Sequence, residues 1–138
     1  MSSKAQPSPE ELTRRDIAIW NDGEVDRIED VYDADCVYHD PFGEEYDRDS
    51  YRGYVEMIHT AFPDFFVHEE ETLSERDSVM MRYTFGGTME GEYRGFEPTG
   101  KSFELHGLIS YRIEDGRIVE AWNAVNSMAM AQQLGLLG

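Results

Sequence analysis

KSFELHGLISYRIEDGRIVEAW, residues 101–122, reads as two strands joined at Asp115-Gly116. Val, Ile, Leu, Tyr and Phe alternate with polar residues over 101–113 and 117–125. An Asp-Gly pair between two such runs is a strong short-range hairpin signal. Glu104, His106 and Glu120 are embedded in the two runs. Taking ionisable groups out of water costs several kcal/mol unless partners compensate. The hairpin is therefore expected to form one wall of a small-molecule cavity, with acid–base chemistry ranked above simple binding.

Working outward, Phe65 to Leu73 and Ser78 to Met89 carry the same strand signals, so four sequential strands are predicted. Upstream the period changes. Ser8-Pro9-Glu10-Glu11 supplies a cap residue, a proline at the first helical position and a glutamate three residues after the cap, which predicts a helix over residues 8–22. Val25, Ile28, Val31 and Tyr32 continue at helical spacing, Cys36 to His39 reads as a short strand stopped by Asp40-Pro41, and Tyr54, Met57, Ile58, Ala61 and Phe62 fall on one face of a third helix ended by Pro63. Met128 to Leu134 closes the chain with a helical turn or two. This order predicts an α+β fold, with N-terminal helices packed on a curved, mostly antiparallel sheet. Residues 8–138 are read as a single domain and residues 1–7 as a disordered N-terminus.

Composition narrows the function. The net charge of −17 comes from 29 acidic against 12 basic residues, and the lysines are Lys4 and Lys101 alone. Nucleic acid is not an expected partner, because its binding relies on a basic footprint. No apolar run approaches the roughly 18 residues of a membrane span, and Met1 to Glu10 lacks a signal-peptide core, so no membrane association and a cytoplasmic location are expected. The single Cys36, in an apolar context, excludes an intramolecular disulfide and reads as a small core residue before a nucleophile. No histidine pair has metal-ligand spacing with a third ligand, and the glycines of 86–100 lack the context of a phosphate loop, so neither metal nor cofactor is expected. A lysine-poor acidic coat resembles proteins of high-salt cytoplasm, where screening relieves self-repulsion.

Five segments together resemble the SnoaL-like polyketide or ester cyclases, within the nuclear-transport-factor-like, cystatin-related α+β cone folds. They are Tyr38-His39-Asp40-Pro41, Phe62-Pro63-Asp64, Gly91 to Lys101, Asp115 to Trp122 and Gln132-Gln133-Leu134-Gly135. The resemblance spans residue 10 to the end of the chain. It implies a cone with an internal cavity, homodimers through the sheet and, as in the characterised cyclases, an acidic residue that closes a ring by intramolecular aldol chemistry without cofactor or metal. The substrate is not implied by it, and a medium-sized apolar carbonyl compound is the first expectation. It places a polar residue and a histidine two apart on one strand, matching Glu104 and His106. It places the catalytic carboxylate just before a tryptophan-like position on the next strand, matching Glu120, where the characterised cyclases carry aspartate. Asn123 and Asn126 stand where many relatives have acids.

On this reading Glu120 is base and acid, its pKa raised by burial against Trp122, and His106 donates to the oxyanion or orients the carboxylate. Arg82 pairs with Glu104. His39 lines the cavity mouth or serves the turn before Pro41. Asn123 and Trp20 line the cavity, and Tyr93 and Phe96 form a lid or pack as loop. The competing readings are an edge glutamate for Glu120, a satisfied core histidine for His106 and an ordinary ion pair for Arg82. Two other functions stand beside the cyclase: a non-catalytic binding or dimerisation module, and an epoxide hydrolase using Glu104, Arg82 and Glu120. Register decides whether the constellation of Glu120, His106 and Glu104 exists at all. A two-residue turn on Asp115-Gly116 sets Glu120 opposite Tyr111, away from His106. A three-residue loop with a bulge at Gly116 sets it opposite Ser110, on the face of His106 and Glu104. Asp-Gly favours the first and the resemblance favours the second, which is the reading adopted.

Overall fold

Ser8 caps the first helix by accepting a hydrogen bond from the Glu11 amide at 3.1 Å, Pro9 occupies the first turn, and Gly23 ends the helix at φ +67°. The computed structural model describes residues 6–137. Of the N-terminal segment expected to be disordered, residues 1–5 lie outside the described residues, and Gln6 and Pro7 precede the helix without regular structure. The elements run α1 (Pro9–Asp22), a 3-10 turn (Val25–Arg27), α2 (Ile28–Val31), β1 (Tyr32–His39), β2 (Glu45–Tyr46) and α3 (Arg48–Ala61), then β3 (Phe66–Glu75), β4 (Ser78–Thr88), β5 (Ser102–Glu114), β6 (Arg117–Val125) and α4 (Ser127–Leu134). The α+β order holds, but two readings change. The segment after Asp22-Gly23 is one 3-10 turn and one helical turn, with Tyr32 already in strand, and the two-residue β2 was not predicted.

The sheet is mixed, in the order β2-β1-β6-β5-β4-β3. β1 runs parallel to β6, and every other neighbouring pair is antiparallel. α1 and α3 bury their apolar stripes against one face: Leu12, Ile19 and Trp20 from α1, Tyr51, Val55, Ile58 and Ala61 from α3. Each such side chain taken out of water stabilises the fold by about 1.5–3 kcal/mol before entropic costs. β5 alternates cleanly. Phe103, Gly107, Ile109, Tyr111 and Ile113 are buried toward the helices, while Glu104, His106, Leu108 and Arg112 are exposed on the other face.

The hairpin combines features of both predicted registers. Glu114 pairs with Arg117 across a two-residue turn in which Asp115 and Gly116 both have positive φ, +51° and +75°, as the mirror-image tight turn requires. The extra residue sits further on. Ile113 pairs with Ile118 but Arg112 pairs with Glu120, so Val119 is a bulge. Glu120 therefore does share a face with His106 and Glu104. That face is the outer one.

Candidate active site

The buried stripe of α1 carries one acid. Asp16 falls between Leu12 and Ile19-Trp20 at helical spacing and is 1% exposed. Tyr51 of α3 donates its hydroxyl to Asp16 Oδ1 at 2.7 Å, and Tyr111 of β5 donates to Oδ2, also at 2.7 Å. Tyr32 and Trp20 donate in turn to the Tyr51 oxygen, at 3.1 and 2.7 Å. Burial pushes the Asp16 carboxyl up to about 6, against the opposing pull of the phenols that hydrogen-bond it. Burial likewise holds Tyr32, Tyr38, Tyr51, Tyr54 and Tyr111 well above the usual phenol range, so they act as neutral donors.

Asp16 forms part of the wall of a cavity of about 60 Å³ between the helices and the sheet. Trp20, Tyr38, Tyr54, Ile58, Phe62, Phe65, Tyr83, Phe85, Tyr93, Ile109, Tyr111, Asn123 and Met130 complete most of the lining. Tyr83 donates to Asn123 Oδ1, and Asn123 Nδ2 donates to the Tyr38 oxygen at 3.0 Å. Among the described residues, the hydroxyl protons of Tyr38 and Tyr54 have no protein acceptor. Both side chains are buried. A buried donor left without a protein partner is costly, so the two hydroxyls are free to donate to whatever fills the cavity, water or ligand.

The ten residues singled out from the sequence divide three ways. Trp20, Asn123 and Tyr93 line the cavity. Phe96 is half exposed and borders a neighbouring depression. The other six, Glu120, His106, Glu104, Arg82, Trp122 and His39, lie on the outer side of the sheet. Their expected cavity placement is corrected by strand alternation: the ionisable residues of β5 occupy its solvent-facing positions, which is the ordinary pattern of a one-sided sheet.

Glu120 Oε2 accepts from His39 Nε2 at 2.8 Å and Oε1 from Arg112 Nη2 at 3.1 Å. These bonds lower its pKa, opposite to the rise expected from burial, because they favour the carboxylate and desolvation there is small. His39 stacks on Trp122 with ring centroids 5.4 Å apart, and its Nδ1 lies 3.2 Å from Glu45. His106 meets Thr84, at 3.1 Å, and Arg82 faces Glu71 at 3.9 Å rather than Glu104. The Glu104–Arg82–Glu120 trio of an epoxide hydrolase is not assembled. Cys36 is buried, with its thiol pushed up to about 11, mainly by desolvation. Among the described residues no three His, Cys, Asp or Glu side chains are grouped to hold a metal ion, and no helix is long and apolar enough to cross a membrane.

The sequence profile of the SnoaL-like polyketide cyclases matches residues 10–134. The chain belongs to that family. Among solved structures, IdmH of Streptomyces antibioticus, a proposed polyketide cyclase, is 28% identical, with 93% of this chain and 99% of that one covered and a TM-score of 0.82. AclR of Streptomyces galilaeus, a proposed hydroxylase, is 27% identical over 96% of this chain and 84% of its own, also at 0.82. A proposed SnoaL-like polyketide cyclase from Jannaschia sp. CCS1 has the same fold at a TM-score of 0.87, with 15% identity and coverage of 100% and 98%. No sequence among the curated proteins matches this one. Asp16 escaped the sequence reading, although a signal was present: one acid on an otherwise apolar helix stripe.

Proposed function

We propose that this SnoaL-like protein is an acid–base enzyme acting on an apolar carbonyl compound, with Asp16 rather than Glu120 as the proton acceptor. The buried Asp16 carboxylate at the wall of a tyrosine-lined cavity carries this reading. A general base works best when its pKa lies near the working pH, and a carboxyl lifted to about 6 meets that condition. Asp16 takes a proton from the carbon next to the carbonyl, and the C–H electron pair becomes the enolate double bond. Tyr38 and Tyr54 supply the hydroxyl protons that stabilise the enolate oxygen. In a cyclisation the enolate carbon bonds to a second carbonyl carbon of the same molecule, and the resulting alkoxide recovers the proton from Asp16. Residues of this chain suffice for each step, so the reading is cofactor-independent.

The test is exchange of α-hydrogens of small alkyl ketones for deuterium in heavy water, followed by proton NMR. Wild-type protein is expected to accelerate exchange and Asp16→Asn to lose that acceleration. Equal exchange by the two proteins would overturn the assignment.

A second reading concerns association, and it rests on the outer sheet face. Leu73, Met80 and Trp122 are exposed in one cross-strand row through Ser110, with exposed Leu108 in the next row. We propose that a second copy of the chain covers this stripe, flanked by Arg82, His106, Arg112 and Glu120, to give a homodimer through the sheet. Light scattering on the wild type and on Trp122→Glu/Leu108→Glu checks it. Dimer mass for the first and monomer mass for the second is expected, and a monomeric wild type would overturn it.

A further inference from the structure

A second depression, of about 130 Å³, adjoins the Asp16 cavity, and three residues, Phe42, Tyr93 and Met130, border both. Beyond them its walls are almost wholly apolar, formed by Phe96 from the loop after β4 and by Leu134 and Leu136 at the end of α4. The inner cavity alone, at about 60 Å³, is under half the size of a cavity that admits a benzene ring, about 150 Å³, and holds a carbonyl head and little more. A cavity of about 150 Å³ lined by apolar side chains takes up benzene. The outer depression is close to that size.

Its rim is fixed in place. The Tyr93–Phe96 turn is closed by two backbone hydrogen bonds, of 3.0 and 2.9 Å, and holds Arg94 at φ +51°, a conformation that ordinary side chains rarely adopt. Arg94 lies over the Phe42 ring at 3.9 Å and donates to Asp40 Oδ2 at 3.3 Å. Asp40 is itself buried, and its other oxygen accepts from the Phe42 and Glu44 amides. The one cation of the depression is thus already neutralised, which selects for an uncharged occupant.

We infer that the depression is a subsite for an uncharged apolar tail of about six carbons, or one ring, carried by a ligand whose carbonyl head occupies the Asp16 cavity. The inference deepens the proposed function and rests on it for the identity of the head. The substrate class is then an elongated carbonyl compound with a neutral hydrocarbon end, threaded past Phe42, Tyr93 and Met130.

Methyl n-alkyl ketones from butan-2-one to decan-2-one, titrated by calorimetry or ligand-observed NMR, test it. Affinity of the wild type is expected to rise about fourfold per added methylene and then level off at about six tail carbons. Ala131→Phe and Leu137→Trp, which fill the depression from two sides, should each lower the ratio of octan-2-one to butan-2-one affinity at least tenfold. Asp16→Asn should keep the chain-length dependence while losing deuterium exchange, so failure of the chemistry and failure of the subsite read out separately. A wild-type affinity independent of chain length overturns the inference, as does an unchanged ratio in both filled variants. A change in oligomeric mass on filling, with the ratio intact, assigns the depression to a second copy and overturns it too.

Discussion

Tyr111 and Asp16, 95 positions apart in the chain, meet phenol to carboxylate at 2.7 Å on the wall of the cavity. The contact joins the middle of the sheet to the first helix and leaves the acid in a site from which water is largely excluded. Its titration is the most direct handle on the site.

Asp16 binds its proton more tightly in the fold, at about 6, than the ordinary 3.8 of an unfolded chain. A raised carboxyl pKa means that the native state holds more protons between those values, so this residue's contribution to stability falls as pH rises from about 4 to about 6 and is constant above. Two pKa units correspond to about 3 kcal/mol that the ionised form costs at neutral pH. Asp16→Asn is expected to melt at pH 7 no more than a few degrees below wild type, or above it, with the wild-type advantage growing on acidification to pH 4. Exchange or turnover should drop about 10²–10⁴-fold in this variant. Wild-type activity should fall tenfold per pH unit below about 6 as the base is protonated. Calorimetry across pH and a pH–rate profile check the two halves.

Glu120→Gln should leave the cavity chemistry near wild-type level, because its partners are His39 and Arg112 on the outer face. A lowered carboxyl pKa works in the opposite direction to that of Asp16. The stability it contributes is present above the ordinary value of 4.5 and is lost as pH falls through the depressed one. The variant should therefore melt slightly below wild type at pH 7 and converge with it as pH falls below the depressed value. Loss of exchange activity in Glu120→Gln, with the fold intact, would return the catalytic role to that residue.

Gly107→Ala should cost about 1–3 kcal/mol by overpacking. A Cβ built at Gly107 would lie 2.3 Å from Tyr83 Cζ, and Tyr83 is the residue that donates to Asn123 in the cavity. Tyr83→Leu should relieve most of the clash, so the double variant should be more stable than the sum of the two single losses. A double-mutant cycle by urea denaturation measures this coupling.

With a net charge of −17, self-repulsion opposes the compact state at low ionic strength. Raising KCl from about 0.05 to 1 M shortens the screening length from more than 10 Å to about 3 Å and should raise the melting temperature by several degrees. A melting temperature independent of KCl would remove the argument for a high-salt habitat.

Much of the architecture was legible because it is written locally. The Ser8-Pro9 cap, the helical stripe from Tyr54 to Phe62 and the alternation of β3 to β6 each identify an element within a dozen residues. Long-range pairings leave no such trace. Nothing near Tyr38 or Ala121 announces that β1 runs parallel to β6, and the two-residue β2 exists only because Tyr38 and His39 offer an edge. The candidate site was misplaced for one reason: Glu104, His106 and Glu120 were read as buried because their neighbours are apolar, whereas strand alternation puts those neighbours and the acids on opposite sides. The cavity's own acid stood on α1, where Asp16 interrupts the stripe of Leu12, Ile19 and Trp20.

Val119 is the hinge on which the orientation of β6 turns. Ile118 and Ala121, three positions apart, both point inward because the intervening bulge absorbs one residue. Deleting Val119 would leave a regular strand with Glu120 still outward and Ala121 still inward, whereas pairing the full-length strand without the bulge would roll its second half over, exchanging Asn123 for Trp122 at the cavity wall and turning Glu120 inward. A scaffold with such a joint can trade its reactive lining for its docking surface by a one-residue slip that irons out the bulge, a larger change than any substitution within either face.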